Sequence, residues 1–262
     1  MIIKIKGGLG NQMFQYAYGR NLMIQKNKEI IFDVSFFKNN SNDTKRLFSL
    51  NNFNLNNSIK FSDKKENIFL EVFKKIYSKI TGNYGFYQSE KYFKEIKNII
   101  IEEFTLKNPL ANISKGWEEK IKLSPISVSI HIRRGDYIND PKTNKHHGIC
   151  EIEYYKKAID LLENKIGENF EIFVFSDDIE WAKNNLSFNQ QINFVSSPEI
   201  PDYEEMYLMS LCKHNIIANS TFSWWGAWLN RNKNKIVIGP KQWFVKKTSN
   251  ILDILPSSWI KI

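Results

Sequence analysis

The second half of the chain alternates strand and helix signals without a break, and this alternation constrains the fold more than any other feature. Runs of β-branched and aromatic residues predict strands over 126–132, 171–175, 192–195, 215–218 and 235–238. The stretches between them predict helices over 152–164, 178–185, 202–213 and 221–230. Tyr155, Ile159 and Leu162 share one side of the first helix, and Asp202 stands where the third needs an N-cap. Gly239-Pro240 closes the last strand. Such a succession predicts a mostly parallel, doubly wound α/β sheet.

The amino-terminal end begins in the same way. Residues 2–6 read as a strand ended by Gly7-Gly8, 11–25 as a helix and 30–34 as a second strand. Met13, Ala17 and Tyr18 share a face of that helix, with Phe14 beside them. Residues 38–120 are less legible. Asn-rich and Lys-rich stretches at 38–42 and 51–57 read as loops, and 67–80 predicts an amphipathic helix. A boundary near residue 120 divides the chain into an N-terminal α/β domain, 1–120, and a Rossmann-like domain, 121–262.

Composition narrows the partners. With 42% hydrophobic and 14% aromatic residues in 262, the chain can bury a core, which excludes a disordered protein. The net charge of +9 suits a solvated Lys-rich surface, or polyanionic partners such as an anionic membrane face or a phosphorylated substrate. Nucleic acid is a rival partner, but no helix-turn-helix, ribonucleoprotein or zinc-finger signature supports it. Cys150 and Cys212 form no disulfide framework and no Cys-x-x-Cys, so both read as reduced thiols in a cytoplasmic protein. The apolar stretch at residues 1–10 is too short for a signal peptide, and no apolar run reaches the roughly 18 residues of a membrane span.

Open α/β sheets bind ligands outside the carboxyl ends of their strands. Four such ends carry glycine or polar residues. Gly7-Gly8-Leu9-Gly10-Asn11-Gln12 lets backbone approach a ligand closely, although it is not Gly-x-Gly-x-x-Gly and lacks a phosphate-loop lysine. His131-Ile132-Arg133-Arg134-Gly135-Asp136-Tyr137 presents two guanidinium forks, which suit phosphate oxygens or structural ion pairs equally. Neighbouring strand residues point to opposite faces, so one arginine should face the cleft and the other bind something structural, with Asp136 the expected partner of Arg134. Ser176-Asp177-Asp178 can accept from a purine or ribose, ligate a metal, or cap the next helix. Adjacent aspartates point differently, which favours nucleotide contact or capping over a shared ion. Asn219-Ser220-Thr221-Phe222-Ser223 opens a helix whose free N–H groups and hydroxyls suit either a cap or an anion. His146-His147, with no further ligands, reads as loop, and Trp224, Trp225 and Trp228 read as core.

Taken with Met13-Phe14-Gln15, His147-Gly148, Tyr154-Tyr155, Phe175 and Trp224-Trp225, these segments span almost the whole chain, and the chain resembles the α1,2-fucosyltransferases of glycosyltransferase family 11. The resemblance implies a GT-B type fold of two facing Rossmann-like domains, with the acceptor on the 1–120 side and GDP-fucose on the 121–262 side. It implies inverting transfer of L-fucose from GDP-β-L-fucose to the 2-hydroxyl of a terminal galactose, with no metal and no other cofactor. Arg133 would hold the donor diphosphate, with His131 beside it. Asp177 and Asp178 would meet guanosine, and Ser220, Thr221, Phe222 and Ser223 the phosphates. Gly8 and Gly10 would admit the donor, and Asn11 would face the transferred sugar. The base is expected among Asp136, Asp140 and His147, and the polar loop 138–148 is expected to act as a lid. The acceptor glycan would be carried on a lipid, which the basic surface suits by docking on an anionic cytoplasmic leaflet.

Overall fold

A computed structural model describes residues 1–38, 46–63, 85–135, 148–245 and 253–262. The predicted helix at 67–80, most of the expected lid, and Asp136, Tyr137, Asp140, His146 and His147 lie outside the described residues. The chain forms two compact units. Unit 1 is Met1–Asn108 with Ser249–Pro256, and unit 2 is Pro109–Thr248 with Ser257–Ile262. Among the described residues no helix is long and apolar enough to cross a membrane.

Unit 1 carries a parallel sheet of β1 (Ile2–Lys4), β2 (Ile31–Asp33) and β3 (Lys60–Ser62), in that order. The third strand was not foreseen, because three mostly exposed residues give no alternation to read. Helix α1 (Leu9–Lys26) starts two residues before the expected 11, because Gly8 is extended and its carbonyl accepts from the N–H groups of Asn11 and Gln12. Met13, Phe14 and Ala17 are fully buried, while Tyr18 is half-buried. Helix α2 (Lys97–Glu103) ends on a carboxylate that is 7% exposed. Arg20 Nε donates to Glu103 at 2.9 Å and the Tyr16 hydroxyl at 2.7 Å, so the buried charge is paired and α1 is tied to α2. Ser89 Oγ donates to the Asp253 carbonyl at 2.7 Å and Lys91 Nζ lies 2.9 Å from the Asp253 carboxylate, which fastens this late segment to unit 1.

Among its described residues unit 2 holds five helices, α3 (Asn112–Leu123), α4 (Ile152–Ile166), α5 (Ile179–Asn185), α6 (Asp202–Leu211) and α7 (Thr221–Leu229). Its strands are β4 (Ser127–Ile132), β5 (Glu171–Ser176), β6 (Gln191–Phe194), β7 (His214–Ile216), β8 (Val237–Gly239) and β9 (Ile260–Lys261). They lie in the order β6-β5-β4-β7-β8-β9, all parallel. The winding reverses between β4 and β7, so this is a doubly wound sheet with one switch point. Val128, Ile130, Ile132, Ile172 and Val174 pack on Tyr155, Ala158, Ile159 and Leu162 of α4 and Ala182 of α5. Phe173 and Phe175 point the other way, toward Ile121 of α3 and Leu208 and Met209 of α6. Both faces are covered, so β4 has no exposed residue.

Two sequence expectations change here. Asp202 is the first residue of α6 rather than its cap. Pro201 takes the cap position, and its carbonyl accepts from Glu204 and Glu205 at 3.0 Å each. The chain also adds β9 beyond the expected last strand, through the parallel pairing of Ile238 with Ile260. Trp224, Trp225 and Trp228 are core residues, as read from the sequence.

Candidate functional site at the switch point

At the carboxyl end of β4, strand parity sends successive side chains to opposite faces. Ile132 packs among the α4 residues, while the ring of His131 faces Phe222 of α7, centroids 5.5 Å apart. The two arginines diverge accordingly. Arg133 Nη1 lies 3.1 Å from Asp177 Oδ2, just past β5. Arg134 lies over Trp181 of α5, 3.6 Å from the ring centroid, with its Nε 3.5 Å from Asp178 Oδ2. Among the described residues Arg134 thus meets Asp178, which caps α5 on the same side of the sheet, while its expected partner Asp136 lies outside the described residues.

Asp177 engages both arginines. Its Oδ2 meets the Arg133 guanidinium, and its Oδ1 accepts the Arg134 main-chain N–H at 2.9 Å. The same contact accounts for Gly135. A Cβ there would stand 2.6 Å from Asp177 Oδ2, so glycine is what lets the carboxylate reach the turn. Asp178 accepts from the Trp181 N–H at 3.3 Å, and its own N–H donates to Ser176 Oγ at 3.0 Å. Of the three readings of the aspartate pair, capping is realised at Asp178. Both carboxylates also face arginines and keep part of their surface exposed, and the guanosine contact that the resemblance implied stays an expectation.

His131 is 3% exposed. Burial, then the charge of Arg133, lowers its pKa to about 3, so the imidazole is neutral near pH 7. Among the described residues its Nδ1 has no hydrogen-bond partner. A buried ring nitrogen left unpaired is uncommon in a folded protein, and beside Arg133 it is a group that a bound ligand would complete. The tyrosines of α4 brace this corner. Tyr155 donates to the His131 carbonyl at 3.1 Å and Tyr154 to the Ile217 carbonyl at 2.6 Å, which holds the ends of β4 and β7.

Across the switch point, α7 begins at Thr221. Ser220 is its N-cap and accepts from the Phe222 N–H at 3.3 Å. Ser223 is 1% exposed and donates to the Ser220 carbonyl at 3.2 Å. It is therefore turned into the helix, and the phosphate contact expected of it does not fit its position. Thr221 and Phe222 remain half-buried at the helix start. Asn219 Nδ2 donates to the Gly148 carbonyl at 3.2 Å and the Trp243 carbonyl at 3.4 Å, pinning the two segments that flank this end.

Sequence reasoning missed Glu205. It lies in the first turn of α6, bonded to Ser196, whose hydroxyl also accepts the Ser176 N–H at 2.9 Å. Burial, opposed by the Ser196 bond and reinforced by Asp202 and Asp177, pushes its pKa up to about 7. No local signal marks this residue, because three separate segments build its surroundings. Among the described residues no three His, Cys, Asp or Glu side chains gather as a metal site requires.

In unit 1 the turn after β1 is set by two buried amides. Gln12 Nε2 donates to Gly7 O at 3.0 Å and Leu47 O at 2.8 Å, and Gln15 Oε1 accepts the Lys6 N–H at 2.8 Å. Gly7 has φ +82°, and a Cβ there would meet Asn11 Nδ2 at 2.9 Å, so the position needs glycine twice over. Gly10 is buried in the first turn of α1, while Gly8 is the half-buried N-cap. Asn11 Oδ1 accepts from Gln88 Nε2 at 2.8 Å.

A family model described as glycosyl transferase family 11 matches residues 2–262. The chain is 36% identical to the O-antigen biosynthesis glycosyltransferase WbnK of Escherichia coli, over 98% of this chain and 99% of that one. It is 35% identical to an alpha-1,2-colitosyltransferase of Escherichia coli, over 100% and 98%. It is 25% identical to the galactoside 2-alpha-L-fucosyltransferase Sec1 of Mus musculus, over 87% of this chain and 63% of that protein. The fold is similar to that of the NodZ alpha-1,6-fucosyltransferase soaked with GDP-fucose, at a TM-score of 0.54 and 10% identity, covering 87% of this chain and 91% of that one.

Proposed function

Because this chain belongs to glycosyl transferase family 11, we propose that it transfers L-fucose from GDP-β-L-fucose to the 2-hydroxyl of a terminal galactose, forming an α1,2 linkage with inversion and without a metal. The observation that carries the reading is the meeting of Arg133, neutral His131 and the N-terminus of α7 at the switch point of the sheet. These are three phosphate-binding features at the place where this architecture takes a nucleotide. The reading takes unit 2 as the donor domain and unit 1 as the acceptor domain of a GT-B enzyme.

The chemistry follows from charge. The leaving group is a nucleoside diphosphate, and negative charge grows on its β-phosphate as the glycosidic bond breaks. Arg133 meets that charge, and the Asp177 contact keeps it in place beforehand, so little reorganisation is needed in the transition state. The His131 Nδ1, unpaired among the described residues, supplies a neutral hydrogen bond beside it. Thr221 and the first-turn N–H groups of α7 serve the other phosphate oxygens. Asp177 and Asp178 remain the proposed guanosine contacts, and Glu205 offers a further carboxyl near them. Asp136, Asp140 and His147 remain the proposed bases. The acceptor is a galactose-terminated glycan, lipid-linked, met at the cytoplasmic face of an anionic membrane that the +9 charge favours.

A second reading keeps the linkage and changes the sugar. The identity with an alpha-1,2-colitosyltransferase over the whole chain supports colitose as the transferred residue. Incubation with GDP-fucose and a panel of other sugar nucleotides, over a set of galactosides, separates the two. An α1,2-fucosylated product identified by NMR supports the first reading. Turnover only with another donor supports the second.

A further inference from the structure

Resting on the proposed reading, we infer that the sugar that receives the transfer binds on unit 1 at the carboxyl end of β1, as a neutral hexopyranose held between the Asn11 and Gln88 amides and the aromatic segment Phe86–Tyr87.

The polar half of this site is the amide pair. Gln88 Nε2 donates to Asn11 Oδ1 at 2.8 Å, which uses one polar atom of each side chain. Among the described residues, Asn11 Nδ2 and Gln88 Oε1 are left for a ligand, one a donor and the other an acceptor. Two neighbouring sugar hydroxyls, each able to donate and accept, match such a pair. Both side chains are half-buried, so they are held in place and still reachable.

The apolar half is the segment that carries Gln88. Tyr87 has φ +52°, a left-handed conformation costly for a bulky residue, and it directs Gln88 onto Asn11. Strain of this kind persists where packing over-determines it, and it clusters at ligand sites. Here the packing is the Tyr87 ring stacked on Tyr18, centroids 3.7 Å apart, with Tyr92 set edge-on at 5.7 Å. Next to it the Lys6 ammonium stands 4.5 Å from the Phe86 ring centroid. A few converging polar groups against fixed aromatic walls are the make-up of a small-molecule site. The Gln12 and Gln15 clamps hold the turn beneath it, so its floor is rigid as well.

The test uses the full chain, wild type, Gln88→Leu and Phe86→Leu. Saturation-transfer NMR with methyl β-galactoside in the presence of GDP reports sugar contact without any donor sugar. The expected result is clear transfer to the wild type and its loss in both variants. In the transfer assay the acceptor KM rises at least tenfold, while the GDP Kd stays within twofold. An unchanged NMR signal and acceptor KM in Gln88→Leu would overturn the assignment, as would no signal with the wild type. Should Gln88→Leu fail to fold, Phe86→Leu carries the same decision. A wild type that binds the galactoside but uses another donor overturns only the donor reading and keeps this site.

Discussion

Asp177 joins Arg133 through one carboxylate oxygen, at 3.1 Å, and with the other it takes the N–H of the next residue at 2.9 Å. One side chain thus fixes both a guanidinium and the turn that delivers it. Replacing it by alanine leaves that guanidinium without this brace, so Asp177→Ala is expected to lower kcat/KM for GDP-fucose by ten- to a hundredfold. Asp177→Asn, which keeps the acceptor for the Arg134 N–H, should recover part of the loss. Steady-state kinetics decide it, and a wild-type rate in Asp177→Ala would show that the brace is idle.

Arg133→Ala is expected to reduce transfer by roughly a hundredfold or more, the usual scale for losing one preorganised donor at a developing anion. Arg133→Lys should recover little of it, since an ammonium cannot reproduce the fork that meets both Asp177 and a phosphate. Single-turnover rates with saturating donor measure the chemical step. Near wild-type turnover in Arg133→Ala would remove the arginine from the mechanism.

Gly135→Ala tests the same contact from the other side. The backbone tolerates alanine, but its Cβ would press on Asp177 Oδ2. Transfer should fall at least tenfold, with roughly 1–3 kcal/mol of stability lost to overpacking. In an Asp177→Ala background the same change should cost almost nothing. A double-mutant cycle in kcat/KM reads the coupling, and additive effects would mean that Gly135 acts on something else.

Glu205 should leave a mark on stability against pH. Its pKa rises from the ordinary 4.5 to about 7 on folding, so the folded chain binds more protons than the unfolded one between those values. Stability therefore falls as pH rises through that window. Glu205→Gln removes the effect, and its melting temperature relative to wild type should climb from pH 5 to pH 8. Thermal melts in the two buffers give the comparison, and a constant difference would contradict the assignment.

Glu103 supplies a contrast. Glu103→Ala strands Arg20 and removes the Tyr16 acceptor, so it should cost about 3–5 kcal/mol. The GDP Kd should stay within twofold, because the pair lies in unit 1. Urea unfolding and a GDP titration test both halves of the statement.

The parallel sheet of unit 2 was legible because strands buried on both faces read as apolar runs between helices. Its edges were not. β9 is two residues long and β3 three, too short for a period to show. The divergence of Arg133 and Arg134 came from strand parity, which is local information. Their partners did not, because Asp177 and Asp178 arrive from another strand, and parallel pairing of β4 with β5 brings them near. Ser223 looked like a ligand from its neighbours in sequence, yet one turn of helix points it inward. Glu205 was invisible for the reason that makes it distinctive: its environment comes from the ends of β5 and β6. Gln12 and Gln15 could have been suspected, as amides amid the apolar residues of α1.

The late segment fastened by Ser89 and Lys91 bears on how such proteins can be recombined. Asp253 is held in unit 1, and a few residues later Ile260 pairs with Ile238 in unit 2. Neither unit is a continuous stretch of chain. A single crossover between two related genes therefore cannot exchange either unit intact: it would marry the body of one to the closing segment of another. Chimeras meant to graft a new donor preference need three junctions, near 108, 248 and 256.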